Sequence, residues 1–439
     1  MPRTATLTPG VQWAGTFPEA SGEVRTGIPA FLGYAAPGSA AADGAGVPRA
    51  VGSWAEFEAW AERVLPDAPP APAAPPRFLP HAVRGFFRNG GVRCFVVPLA
   101  GVERDDPAAE ARALAGALTA LEEVGEVDLV CAPDVMHRVA AARRPGPWAS
   151  GDSAALLERV RPLQQALLAH CRRMGDRFAI LDAVPALTPE EALRQGKALV
   201  DSGAWGALYF PWVQAEDGPP EYAPPEDGAR AVGGLVPPCG HVAGVYARVD
   251  ALTGVHRPPA NEPLEGVLDV EFALSEAQSG VLFPSPEEQR RDGLPAGINL
   301  LRAFSGRGIR VWGARTLSPR QADAQVAARR VVLSVSRWLE QRLQAVAFET
   351  NGPALWARIT REVGGQLARL HRGGVLRGAT PAEAFYVRCD AATNPPEARD
   401  AGVVTTEVGL APAVPNEFIV VRVSHGAGGA TITGPELPG

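Results

Sequence analysis

Four short runs, VRCFVVPLA at 92–100, VDLVCAP at 127–133, FAILDAVP at 178–185 and WGALYFPWV at 205–213, are apolar along nearly their whole length rather than at alternate positions. A strand with one wet face alternates apolar and polar residues, so continuous apolar strands must be covered on both faces, as in a buried parallel sheet. The intervals can supply that cover. Residues 107–122, 152–174 and 189–202 have helical character, and a helix over 79–89 stops at Gly90-Gly91, ahead of the first run. VRTGIPAFLGY at 24–34 reads as a still earlier strand and 53–64 as a helix. The expectation is a doubly wound α/β domain.

Beyond Pro286 the pattern changes. Ala328, Val332, Val335, Leu339, Leu343 and Val346 form one helical face, with Ser318-Pro319 ahead of them reading as a cap and a first-turn proline. A second helix, Pro353 to Arg372, presents Leu355, Ile359, Val363, Leu367 and Leu370 and stops at Gly373-Gly374. Thr380-Pro-Ala-Glu383 has the form of a capping box, followed by the strand AFYVRCD. GVVTTEVGLAP and EFIVVRVS then flank the turn residues AVPN. Glu417 to Val423 is apolar on both faces except at Arg422, so it must be sandwiched rather than left as an open edge.

At 439 residues the chain is too long for one ordinary core. The division expected is an N-terminal arm at 1–20, an α/β domain at 21–285, an α+β domain at 286–416, and a terminal strand with a flexible tail, including SHGAGG, at 417–439. Two proline-rich stretches inside the first domain, 66–78 and 215–229, read as loops.

A 46% hydrophobic, 21% charged chain with a formal charge of −6 reads as soluble and globular and gives no reason to expect nucleic-acid binding. No stretch approaches the roughly 18 apolar residues of a spanning helix, and the start has no signal-like core, so a cytoplasmic chain without membrane insertion is expected. The scattered cysteines, Cys94, Cys131, Cys171, Cys239 and Cys389, read as buried thiols. Charge is uneven. Residues 286–424 hold 19 Arg against 13 acids, net +6, which leaves 23 basic and 35 acidic residues elsewhere, net −12.

PPCGHVAGVYARVD at 237–250 resembles the histidine segment of subtilisin-type proteases, and Asp182 could orient His241. The nucleophile is missing. GDSAA at 151–155 precedes both in the chain, against the subtilisin order, and no G-x-S-x-G exists. The alternative gives His241 a helix-start role and makes Asp182 a strand-end cap. His81, His137, His170 and His371 stand apart in metal-ligand spacing, and no phosphate-binding glycine motif occurs. A degenerate serine hydrolase and a generic binding scaffold remain as competing readings.

PPCGHVAGVYARVDALTGVHRPPANEPLEGVLDVE, GINLLRAFSGRGIRVWGARTLS, AVAFETNGPALWARI, GATPAEAFYVRCDAATNPP and VVTTEVGLAPAVPNEFIVVRV, with HAVRGFFRNGGVRCFVV nearer the front, together resemble the contractile tail sheath family of phage tails, tailocins and phage-like contractile injection systems. The resemblance is dense over 79–100 and 236–424 and looser at TPGVQ and TGIPAFLGYA, and the shortened middle departs from larger sheaths. It implies a subtilisin-like sheet used without proteolysis, a C-terminal α+β sheath domain facing an inner tube, and extended terminal arms. It implies a structural protomer, not an enzyme, with no cofactor, that polymerises helically in a metastable extended state and contracts. Its partners would be itself, the tube protein, and baseplate and terminal cap proteins. It would assemble in the cytoplasm as part of a phage tail or tail-like particle that can be released extracellularly.

The same resemblance implies that arms are donated to a neighbour's sheet, here Thr8, Pro9, Gly10 and Val11 through Trp13, and Phe418, Ile419, Val420, Val421, Arg422 and Val423. The ribbon at 297–318 would frame the C-terminal domain. From the charge split we expect Arg358, Arg361 and Arg369 to dock on an acidic tube.

Overall fold

The computed structural model describes residues 25–34, 46–64, 77–100, 106–142, 153–219, 233–344, 349–412, 419–426 and 429–433. In chain order its strands are β1 (Pro29–Tyr34), β2 (Arg49–Val51), β3 (Cys94–Leu99), β4 (Leu129–Cys131), β5 (Phe178–Asp182), β6 (Gly206–Phe210), β7 (Val213–Ala215), β8 (Gly234–Val236), β9 (Glu262–Pro263), β10 (Val267–Val270), β11 (Asn299–Phe304) and β12 (Gly308–Trp312). After these come β13 (Phe385–Arg388), β14 (Val404–Leu410), β15 (Ile419–Gly426) and β16 (Gly429–Thr433).

The apolar runs do what continuous burial requires. They line up in a nine-stranded sheet, β2-β3-β1-β4-β5-β6-β11-β12-β9. From β3 to β11 every neighbouring pair is parallel, and only the margins are antiparallel. All residues of β1, β3, β4, β5 and β6 are buried. The helices lie where periodicity places them, at Leu79–Arg88, Pro107–Leu121, Ser153–Met174 and Pro189–Lys197, followed by Cys239–Thr253. Side-chain caps fix two of their starts. Asp106 accepts from the Ala108 and Ala109 amides, and Thr188 with Glu191 closes a full capping box. β7, β8 and β10 form a separate three-stranded antiparallel sheet.

Helices Leu79–Arg88 and Cys239–Thr253 approach so closely that glycine is needed between them. A Cβ on Gly240 would lie 2.2 Å from the Ala82 carbonyl oxygen, and one on Gly85 would lie 2.6 Å from the His241 ring. The glycines of the GHVAGVYA segment are therefore packing residues.

Residues 297–318, expected to frame the C-terminal unit, instead complete the main sheet. β11 runs parallel to β6 through Asn299↔Tyr209 and Leu300↔Phe210, then turns back into β12. The physical reason is one-sided apolarity: Ile298, Leu300, Leu301, Ile309 and Val311 are buried in the main core, whereas Ala303, Gly308 and Trp312 are exposed, a pattern suited to a sheet margin. Gly306 and Gly308, both at φ 70°, make the turn.

A second apolar core gathers Val331, Val332, Val335, Leu339 and Leu343 of the helix Val326–Gln344 with Leu355, Ile359, Val363 and Leu367 of the helix Pro353–Arg372, and with Val408 and Leu410. Val346 lies outside the described residues. Val326 and Leu333 of the same first helix belong to the main core, so the change of core falls inside this helix. β13, β14, β15 and β16 form an antiparallel four-stranded sheet in chain order. β15 thus lies between β14 and β16 as an inner strand and not an edge.

Three local expectations fail. The segment after β15 is not a tail throughout, because Gly426 pairs with Gly429 and β16 returns along β15 as far as Thr433↔Arg422. Thr380 makes no side-chain cap, and Glu383 instead accepts from the Ala379 amide at 2.8 Å. Ser318 holds the Arg320 amide in a turn while the long helix begins at Val326. All five cysteines are free and buried.

Candidate functional site

The protease-like pair does not assemble. Asp182 ends β5 and its Oδ1 accepts from the Cys239 amide at 2.8 Å, so it caps the start of helix Cys239–Thr253. Burial pushes its carboxyl up to about 7. His241 sits in the first turn of that helix, 1% exposed, with neither ring nitrogen hydrogen-bonded. Burial pulls its pKa down to about 4, so the ring is neutral at pH 7. Ser153 is hydrogen-bonded to Glu191, away from both. Asp182, His241 and Ser153 therefore do not form a nucleophile, base and orienting carboxylate in series. Two other histidines do meet acids that sequence spacing hides: His81 lies 3.4 Å from Asp217 and His137 3.7 Å from Glu110. Among the described residues, no three His, Cys, Asp or Glu side chains are grouped to hold a metal.

Arg358, Arg361 and Arg369 share one face of the helix Pro353–Arg372, but they are not equally available. Arg358 is engaged by Glu349 and lies 3.8 Å from Glu362. Arg369 bonds Gln366 at 3.0 Å. Arg361 is exposed, with no ion pair among the described residues. Thr8, Pro9, Gly10, Val11, Trp13 and Phe418 lie outside the described residues. Ile419 to Val423 belong to β15, which pairs with β14 from Leu410↔Ile419 to Val404↔His425.

Sequence reasoning missed where much of the C-terminal positive charge goes. Arg330 places its guanidinium 2.5 Å from Asp250 and 3.1 Å from Asp128, over the Tyr246 ring. Arg337 donates to the carbonyls of Glu126, Val127 and Asp176, and its guanidinium lies 3.4 Å from the Asp176 carboxylate. Both arginines are 3% exposed. Part of the charge split is therefore settled inside the molecule, where it ties the long helix to the main sheet. The only sequence signal is a seven-residue spacing on a helix, which reads equally well as a solvated face.

The β11–β12 margin carries a second unpredicted feature. The Phe304 and Trp312 rings meet tilted at 56° with centroids 4.8 Å apart, and Arg302 and Arg307 each place a guanidinium over Phe304. Half-exposed Trp and Arg are the residue types that interfaces favour.

The family model described as phage tail sheath protein central domain matches residues 158–317. A search of curated proteins gives no match. Among solved structures, a chain in the baseplate of the anti-feeding prophage is 26% identical, with 94% of this chain and 98% of that one covered at a TM-score of 0.66. The contracted helical sheath of the same particle is 27% identical over the same shares, at 0.64. The contracted PVC sheath complex, from an extracellular contractile injection system, is 24% identical over 95% and 97%, at 0.62, a likeness of fold.

Proposed function

We propose, from its membership of the contractile tail sheath family, that this chain is the structural sheath protomer of a phage tail-like contractile injection system. The observation that carries this is end-to-end likeness to a sheath chain: 94% of this protein aligns with 98% of the contracted anti-feeding prophage sheath. The protomer polymerises helically and contracts. Self-assembly and association with a baseplate follow from the same relatives.

Finer parts of the reading rest on physical support. The parallel sheet with helical crossovers is a doubly wound, subtilisin-like body that does no proteolysis. Its first unit runs to about the start of the helix Val326–Gln344, and the α+β unit beyond carries the inter-subunit strands. Each protomer sits on an inner tube in a metastable extended lattice, with a cap protein at the far end, and falls into a contracted one. An interface gain of a few hundred Å² per subunit would release on the order of several kcal/mol at roughly 25 cal/mol per Å², before association costs.

Lattices stay connected through donated strands, Thr8 to Val11 and Phe418 to Val423. In support, among the described residues β15 pairs through antiparallel ladders on both sides, so bonds made within one chain can be remade one for one with a neighbour. Arg361, with Arg358 and Arg369 beside it, faces an acidic tube. Assembly takes place in the cytoplasm before any release of the particle.

Negative-stain microscopy of the protein alone and with its tube partner tests the reading. The expected result is hollow striated cylinders, short and wide alone, longer and narrower around a tube. Dispersed monomers under every condition would overturn it.

A further inference from the structure

At the root of the helix Val326–Gln344 lies a cavity of about 480 Å³ between that helix, the end of helix Ser153–Met174, and the segments 200–205 and 318–320. Its wall includes Arg172, Asp201, Ser202, Arg320, Arg329 and Ser336. Arg172 and Arg320 are exposed, whereas Arg329 is 2% exposed. Arg172 forms no salt bridge among the described residues.

Arg329 is the anomaly. A buried guanidinium needs several acceptors and a counter-charge to offset its lost hydration. Its neighbour Arg330 has two carboxylates at 2.5 and 3.1 Å. Arg329 has Asp323 at 3.8 Å, and Asp323 is also held by Arg320. The Nε and Nη1 atoms of Arg329 have no hydrogen-bond acceptor. The Trp205 face, 3.9 Å from the guanidinium carbon, supplies cation–π attraction but no lone pair. Burial accordingly pulls its pKa down to about 10. Three arginines thus stand at or near one wall with a single shared buried aspartate and the exposed Asp201.

We propose that this cavity is an oxyanion-binding site, in which Arg329 supplies the buried charge and Arg172 and Arg320 close on the anion from the rim. Guanidinium groups favour planar or tetrahedral oxyanions, which they meet through paired N–H donors. The oxyanion is either a free phosphate-class ion or a carboxylate side chain of another copy of this chain. The site stands whether or not the chain forms a sheath.

The test uses the full chain, as wild type, Arg172→Ala and Arg329→Met, followed by thermal unfolding and calorimetry with inorganic phosphate against chloride at equal ionic strength. The expected result is saturable stabilisation by phosphate, weakened about tenfold in Arg172→Ala and absent in Arg329→Met. Arg329→Met should itself melt no lower than wild type without phosphate, since replacing an incompletely matched buried charge by an apolar side chain is often neutral or stabilising. If dispersed chains ignore phosphate while polymers of both variants fall apart at lower salt than wild type, the oxyanion is a neighbouring copy's carboxylate. A phosphate response unchanged in both variants, or no response in either arm, overturns the site.

Discussion

The nine-stranded and the four-stranded sheets of this protein are built on opposite terms. In the nine-stranded sheet the strands β3, β1, β4, β5 and β6 are parallel, wholly buried and joined by helical crossovers, so none of them can leave without exposing apolar surface on both faces. In the four-stranded sheet each strand pairs antiparallel with the next in the chain, and β13 alternates half-buried with exposed residues. The first arrangement makes a body; the second, on the proposed reading, is the joint whose ladders are broken and remade in kind. A single chain holds both because a helix shared by two cores connects them.

Truncation before Ile419 would test this division most severely. It should abolish polymerisation outright, seen as loss of pelletable cylinders, while the unfolding transition of the main sheet shifts little. A matching collapse of the main sheet would show that the two regions are not separable. Next in size, Arg330→Ala leaves Asp250 and Asp128 buried without their counter-charge, and should cost about 3–5 kcal/mol by chemical denaturation. Asp250→Asn in that background should recover part of the loss.

The pH dependence comes third. The folded pKa of His241 lies near 4 against 6.5 for a free ring, so the unfolded chain takes up the proton first. The contribution of His241 is present above pH 6.5 and is lost as pH falls through 4, amounting to roughly 2 to 3 kcal/mol by pH 4.5. Asp182 and Asp134 work in the opposite sense. Burial raises their carboxyl groups to about 7 and about 6, so their contribution is full below about pH 4 and is lost as pH rises through those values. His241→Leu should therefore be relatively more stable than wild type at pH 4.5 than at pH 7.5. Smallest of all, Arg361→Glu should move fold stability by no more than about 0.5 kcal/mol while weakening attachment to an acidic tube in a salt-sensitive way. Unchanged tube binding would remove the arginine face from the account.

The main sheet was legible because burial on two faces leaves a continuous apolar signature, as in CFVVPL and FAILD. The helix Pro353–Arg372 was legible because its apolar stripe needs a partner surface. The ribbon at 297–318 was misplaced because strand periodicity reveals which face is buried but not against which sheet. The return of β16 along β15 was hidden because the glycines of SHGAGG read equally well as a tail. Arg330 and Arg337 were illegible for a different reason: their partners Asp128, Asp176 and Asp250 lie far away in sequence, and a charge shows its burial only when the fold closes over it. Availability within the arginine face was equally invisible, since Glu349 reaches Arg358 from the segment ahead of the helix, outside its i,i+3 and i,i+4 spacing.

The helix Val326–Gln344 has a mechanical consequence. Its 19 residues make a rod about 28 Å long, with the guanidinium bolts Arg330 and Arg337 on one face and the second core along the other, from Val331 to Leu343. A tug on the terminal strands should therefore reach the whole body as a torque instead of being absorbed in a hinge. Under load, such a subunit should yield first by unzipping its antiparallel ladders and only later at the axle, so a chain of them behaves as stiff links with compliant couplings.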